Sequence, residues 1–308
     1  MKYQAVGYYK NSDNPSSPQV TQFCAQIEQT RFEEVKKAKD ICYIAFGLEE
    51  KFQLVLDNFN EWEIEQMKLA QTYMLWRTTN HDATEHRRLL DRRLTNVLTA
   101  FRLYVDQTDY EISNVFGSKS NELEHIKKFK NSLYDKHFGY RFLEELRNHV
   151  QHCALPVQMI TYREVLEHEK NNHVRYSIVP RMTLDDFEGL GRFKPRILEE
   201  VKLLGGKIDL RQPTREYISC LVVLHKELRK TFTSVVSSSR TYYLDAVKHY
   251  TTTGIYQLEH PRLKRIDDNG TVIEQIDLIT RDFEIHDALH KRISNVTDIS
   301  KSFASSEL

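Results

Sequence analysis

Apolar residues that recur every three or four positions over very long stretches are what most constrain this chain. From Glu49 to Trp76 the positions Phe52, Val55, Leu56, Phe59, Trp62, Leu69, Ala70 and Tyr73 follow that spacing, which marks a long amphipathic helix with one face to bury. After the breaker-like Thr78-Thr79-Asn80-His81-Asp82 the pattern resumes with Leu90, Leu94, Val97, Leu98, Phe101, Tyr104, Val105, Thr108 and Ile112. Two such helices on a short link are expected to pack antiparallel. A third run from about Asn121 to Cys153 carries Leu123, Ile126, Phe129, Leu143, Leu146 and Val150. It must stop before Pro156, because the residue preceding proline avoids helical dihedrals.

Beyond Pro156 the period turns extended. Val157 to Leu166 and Val174 to Val179 flank the polar Glu169-Lys170-Asn171-Asn172 and predict a β-hairpin. Helix is expected again over Pro195 to Leu204, ending at Gly205-Gly206, and then from Thr214 to Tyr250, where Ser237-Ser238-Ser239 is a place that allows a break. Asp267-Asp268-Asn269-Gly270 lies between two extended runs, and Asn-Gly is the strongest short-range hairpin signal. A last helix is expected over about Asp282 to Ile293. Asn11 to Pro18 offers nothing to bury, so folding is expected to start near Val20, and the chain after Ser294 reads as a fraying tail. The reading is mainly α: one α-rich domain over 20–296, hairpins near 157–180 and 262–277, a flexible arm at 1–19 and a flexible tail at 297–308.

With 308 residues, 40% of them hydrophobic, and a mean hydropathy of -0.57, the chain has material for one large core or two modest ones and is too polar for a bilayer. Lys plus Arg and Asp plus Glu balance at 44 each, so any nucleic-acid binding must come from a local patch. Cys24, Cys42, Cys153 and Cys220 form no C-x-x-C pair, which fits free thiols in a reducing, cytoplasmic setting. Neither an export signal nor a membrane span is expected.

On a wheel of 100° per residue, Tyr140, Arg141, Glu144, Glu145, Arg147, Asn148, Gln151 and His152 share one arc of about 160°. The opposite arc holds Phe142, Leu143, Leu146, His149, Val150 and Cys153 and is expected to face the core. A packed core histidine is therefore the ordinary reading of His149, and His152 is the imidazole left for chemistry. Metal-free RNA cleavage needs a base for the 2′-hydroxyl, an acid for the leaving 5′-oxygen and positive charge over the phosphate. Imidazole suits the first two roles and guanidinium the third. Asn148, at i,i+4 from His152, is placed to orient that imidazole or to hold a phosphate oxygen. One helix supplies one such histidine, so the chemistry calls for two copies meeting across this face.

The run Arg147-Asn148-His149-Val150-Gln151-His152, an Arg, a polar residue, three variable residues and a His near the end of a long helix, resembles the motif of the HEPN superfamily. That resemblance implies a HEPN-like helical bundle with Arg147 and His152 catalytic and Asn148 supporting. It implies a metal-independent endoribonuclease that works as a dimer, of a kind frequent in toxin-antitoxin and phage-defence systems, with an antitoxin or other regulatory partner. Non-catalytic binding modules also occur in the family, so a silent helical interaction module is the alternative. The resemblance reaches at most from about Glu49 to Pro156.

Arg87-Arg88 and Arg92-Arg93, continued by Arg102, form a basic stripe. Arg88, Arg92 and Gln151 are the candidate RNA contacts, although Glu85 and Asp91 are placed to pair with the arginines. His286 and His290 stand at i,i+4 near Asp282 and Asp287, a spacing that permits a metal, but no third ligand is evident nearby and none is assigned. No cofactor is expected: P-loop, G-x-G-x-x-G and nucleophile-elbow patterns do not occur. Asp185-Asp186 and Asp267-Asp268 read as cap and turn carboxylates.

Overall fold

A computed structural model describes residues 1–11, 19–167, 173–183, 193–253, 256–302 and 304. The described chain is mainly helical: α1 (Gln29–Trp76), α2 (Asn80–Phe116), α3 (Asn121–Lys136), α4 (Phe138–His152), α5 (Pro195–Leu203), α6 (Arg211–Tyr250) and α7 (Arg281–Ser294). The strands are β1 (Lys2–Asn11), β2 (Gln19–Gln26), β3 (Met159–Glu167), β4 (His173–Thr183), β5 (Lys207–Asp209), β6 (Thr252–Thr253), β7 (Tyr256–Gln257), β8 (Glu259–Ile266) and β9 (Val272–Asp277). No helix among the described residues is long and apolar enough to cross a membrane. The chain divides into two compact units.

The first unit comprises 1–49 and 229–294. Its antiparallel sheet has the order β2-β1-β8-β9, so the N-terminal segment is not an arm: β1 pairs with β2 and with β8. The sequence hid this strand because its alternation is carried by Ala5, Val6 and tyrosines rather than by a Val/Ile run. Of the arm expected at 1–19, residues 12–18 lie outside the described residues. The β8–β9 hairpin forms as expected, with Gly270 at φ 86 and Asp267 Oδ1 accepting from the Asn269 and Thr271 amides, a side chain that closes its own turn. Phe32, Val35, Tyr243, Ala246, Leu263 and Phe283 fill the core of this unit.

The second unit comprises 50–228 and 295–308. Its core is built on Phe52, Trp62, Leu94, Phe101, Phe142 and Leu146, each at most 1% exposed, and truncating such a leucine typically costs about 2–5 kcal/mol. Thr79 starts α2 with a reciprocal capping box with Asp82, which is what the breaker-like segment does. β3 and β4 pair as the expected hairpin and β5 adds a third strand; the polar turn residues 169–172 lie outside the described residues, as do Asp185 and Asp186. The segment after α7 is tied down rather than free. Ser219 Oγ accepts from the Ile299 amide, Gln212 donates to the Ser300 carbonyl and Lys226 to the Val296 carbonyl.

Three helix boundaries also differ from expectation. α1 begins twenty residues before Glu49, at Gln29. α6 passes through Ser237-Ser238-Ser239 without a break, since Ser238 and Thr241 return their hydroxyls to carbonyls of the preceding turn. The run 121–153 is two helices. His137 is extended, with φ -111 and ψ 118, and the guanidinium of Arg141 donates to the Tyr134 and Asp135 carbonyls at 2.7 Å each. Those bonds satisfy the end of α3 and release the chain from the helix.

Candidate functional site

The motif helix α4 is short and its polar arc is divided. Tyr140, Arg141 and Glu145 are buried, which corrects the expectation that the whole arc avoids the core. Arg141 is held by Glu200 as well as by the two carbonyls. Glu145 pairs with Lys194 at 2.7 Å, and Glu144 accepts from Arg102 and Tyr217. Buried charges stay buried only with such partners, so this half of the arc is structural. Burial pushes the phenols of Tyr140 and Tyr217 above their ordinary range, which keeps both neutral.

The C-terminal half of the arc is open. Arg147 is half-buried, while Asn148, Gln151 and His152 are exposed. Arg147 Nη1 donates to Asn148 Oδ1 at 3.1 Å. Asn148 is thus bonded to the arginine and not to His152, as the i,i+4 spacing had allowed. This bond turns the amide's two N–H donors away from Arg147 and leaves the guanidinium with donors to spare. The His152 imidazole makes no hydrogen bond or ion pair among the described residues. His149 is buried at 1% exposure, with its ring 5.4 Å from that of Phe193, as its place on the apolar arc requires.

Beside Asn148 lies a shallow depression of about 210 Å³. Arg102, Lys130, Tyr134, Glu144 and Lys194 line it with Asn148. Its cations are answered in place: Arg102 by Asp106 and Glu144, Lys130 by Asp109, Lys194 by Glu145. Lys194 is pushed up to about 12 by its bonds with Glu145 and Tyr134. Sequence reasoning missed Lys130 and Lys194, which stand on α3 and just before α5 and carry no local motif.

The basic stripe of α2 is largely consumed. Arg93 reaches Glu61 and Glu65 on α1, and Arg88 pairs with Glu85 at 2.7 Å. Asp91 is not an arginine partner by hydrogen bond; its Oδ1 accepts the Val157 amide at 2.8 Å. Arg88 and Arg92 are left exposed. The Asp91–Val157 bond ties the segment that follows His152 to α2. Comparisons with protein-family models, with curated proteins and with solved structures find no match.

Proposed function

We propose that the chain is a metal-independent endoribonuclease of HEPN type, with Arg147 and His152 catalytic and Asn148 supporting. The observation that carries the reading is the open end of α4, where a guanidinium bonded to an amide shares an exposed surface with an imidazole. A pentacoordinate phosphate needs a rigid fork of donors, and Arg147 retains one. Asn148 fixes that fork and adds its own N–H donors. His152 moves the proton, as base toward the 2′-hydroxyl in one copy and as acid toward the 5′-oxygen in a second. The products are a 2′,3′-cyclic phosphate and a 5′-hydroxyl.

Two copies pairing through this face bring two His152 and two Arg147 to one cleft, so a homodimer is part of the proposal. Arg88 and Arg92, exposed on α2, are the proposed contacts for an RNA backbone, together with the exposed Gln151. A role as a toxin or antiviral effector under the control of a regulatory partner completes the reading. The test incubates purified protein with total RNA in excess chelator. Cleavage by the wild type that is lost in Arg147→Ala and His152→Ala, with circular dichroism unchanged, supports the assignment. Equal cleavage by both variants, no cleavage of any RNA, or a strict monomer in sedimentation overturns it and favours the silent interaction module.

A further inference from the structure

We propose that Glu49, His286 and His290 form a binding site for a transition-metal dication of the zinc class, separate from the ribonuclease site and independent of that reading. His286 and His290 are one turn apart on α7 and present both rings on one face. The sequence around them holds no third ligand. The fold brings one from 237 residues earlier, since Glu49 belongs to the same unit and one donor atom from each of the three side chains lies within 4.8 Å of the others.

The spacing suits a metal. His290 Nδ1 stands 3.2 Å from Glu49 Oε1. Two ligands on a tetrahedral zinc ion with bonds of about 2.0–2.1 Å are about 3.3 Å apart. A cation therefore fits between these atoms with little movement once the imidazole carries its proton on Nε2 and presents the Nδ1 lone pair. The His286 ring, 5.9 Å from that of His290, is braced by Phe46 of α1 in an edge contact of 5.8 Å and 83°. A donor nitrogen of His286 lies within 4.8 Å of the other two ligand atoms, and drawing it in completes three protein ligands, with the fourth position left to water.

The electrostatics are mixed but workable. Glu49 is 3% exposed and is gripped by Arg229, whose Nε donates to Oε1 at 2.7 Å and whose Nη2 donates to Oε2. That grip fixes the direction of the buried carboxylate, as partners behind metal-bound carboxylates do. Arg229 is itself anchored on Ser294 Oγ and the His290 carbonyl. Its charge opposes a dication, so the site is expected to bind more weakly than three ligands without a guanidinium. Asp287, 3.8 Å from His286, is largely offset by Arg240. Soft and borderline cations that favour imidazole are selected over magnesium or calcium.

The test uses the full chain after chelator treatment and dialysis, titrated with Zn²⁺ by calorimetry and with Co²⁺ by visible absorption. The expected result is one saturable equivalent, ligand-field bands of low-coordinate Co²⁺ without a thiolate charge-transfer band, and a Tm raised by Zn²⁺. His286→Ala and His290→Ala should each weaken Zn²⁺ about tenfold or more, whereas Cys24→Ser should leave it unchanged. His290→Gln serves as a second variant, because the His290 side chain is 46% exposed and its replacement should leave the fold intact. No saturable binding of either ion by the wild type, or binding undiminished in the folded histidine variants, overturns the proposal.

Discussion

Glu216 of α6 closes the N-terminus of the helix that carries Arg147 and His152, accepting the Gly139 amide on Oε2 at 2.6 Å. Its other oxygen meets His137 Nδ1 at 3.2 Å. His137, the residue at the N-cap position, makes no side-chain cap bond of its own. A carboxylate from a distant helix thus does the work that a local Ser or Asp usually does, and its charge faces the positive end of the helix dipole.

That arrangement leaves no room for a side chain at 139. A Cβ there would lie 2.6 Å from Glu216 Oε2 and 2.7 Å from the Pro213 carbonyl oxygen. Gly139→Ala is expected to lower stability by about 1–3 kcal/mol through overpacking. Glu216→Ala should cost about 1 kcal/mol through loss of the cap, and Glu216→Gln should recover part of it. Denaturant unfolding of the three variants checks this; a Gly139→Ala protein as stable as the wild type would show that the cap does not constrain α4.

The long helices were legible because their apolar period runs uninterrupted, and Leu90 through Ile112 are buried as the wheel requires. His149 was legible for the same reason. Arg141 and Glu145 were not: a wheel counts polarity, and their partners Glu200 and Lys194 are supplied by residues some fifty positions away. The strand at the N-terminus stayed hidden because β1 owes its place to β8, across more than 250 residues of chain. The Arg147–Asn148 bond joins sequence neighbours, yet periodicity alone pointed Asn148 at His152 instead.

Stability should depend on pH through His86. Burial lowers its imidazole below the ordinary value of 6.5, and its Nδ1 lies 2.9 Å from the Tyr162 hydroxyl. The folded state therefore binds fewer protons than the unfolded one. The resulting loss of stability begins as pH falls through 6.5 and grows until the pH reaches the lower folded value. Unfolding curves at pH 7.5 and 5.5 should show a smaller difference for His86→Gln than for the wild type; equal differences would assign the dependence elsewhere.

Thiol reactivity should separate the four cysteines. Cys24 is exposed and Cys153 partly so, whereas Cys42 and Cys220 are buried, with burial pushing their thiols up to about 11 and about 12. Since the thiolate is the reactive form, an aromatic disulfide reagent should modify Cys24 rapidly and Cys153 more slowly in the native protein. Cys42 and Cys220 should react only on unfolding. Rapid modification of all four without denaturant would contradict the packing of both units.

Asp91 offers the sharpest test of how the site is held. Its Oδ1 takes the Val157 amide, but Oδ2 is buried without a hydrogen-bond partner, and burial raises the carboxyl above 3.8. A raised folded pKa means that ionising Asp91 costs stability, a penalty fully present above the folded value and absent once pH falls below 3.8. Asp91→Asn keeps an oxygen for Val157 and removes the charge, so it should raise Tm at pH 7, with the gain shrinking toward pH 4. Asp91→Ala should lower Tm, because the buried Val157 amide loses its acceptor. In the ribonuclease reading this second variant should also lose RNA cleavage, since the segment after His152 is no longer pinned to α2. Opposite signs for the two substitutions are the result expected; an Asn variant less stable than the wild type at pH 7 would mean that the ionised carboxylate is needed there.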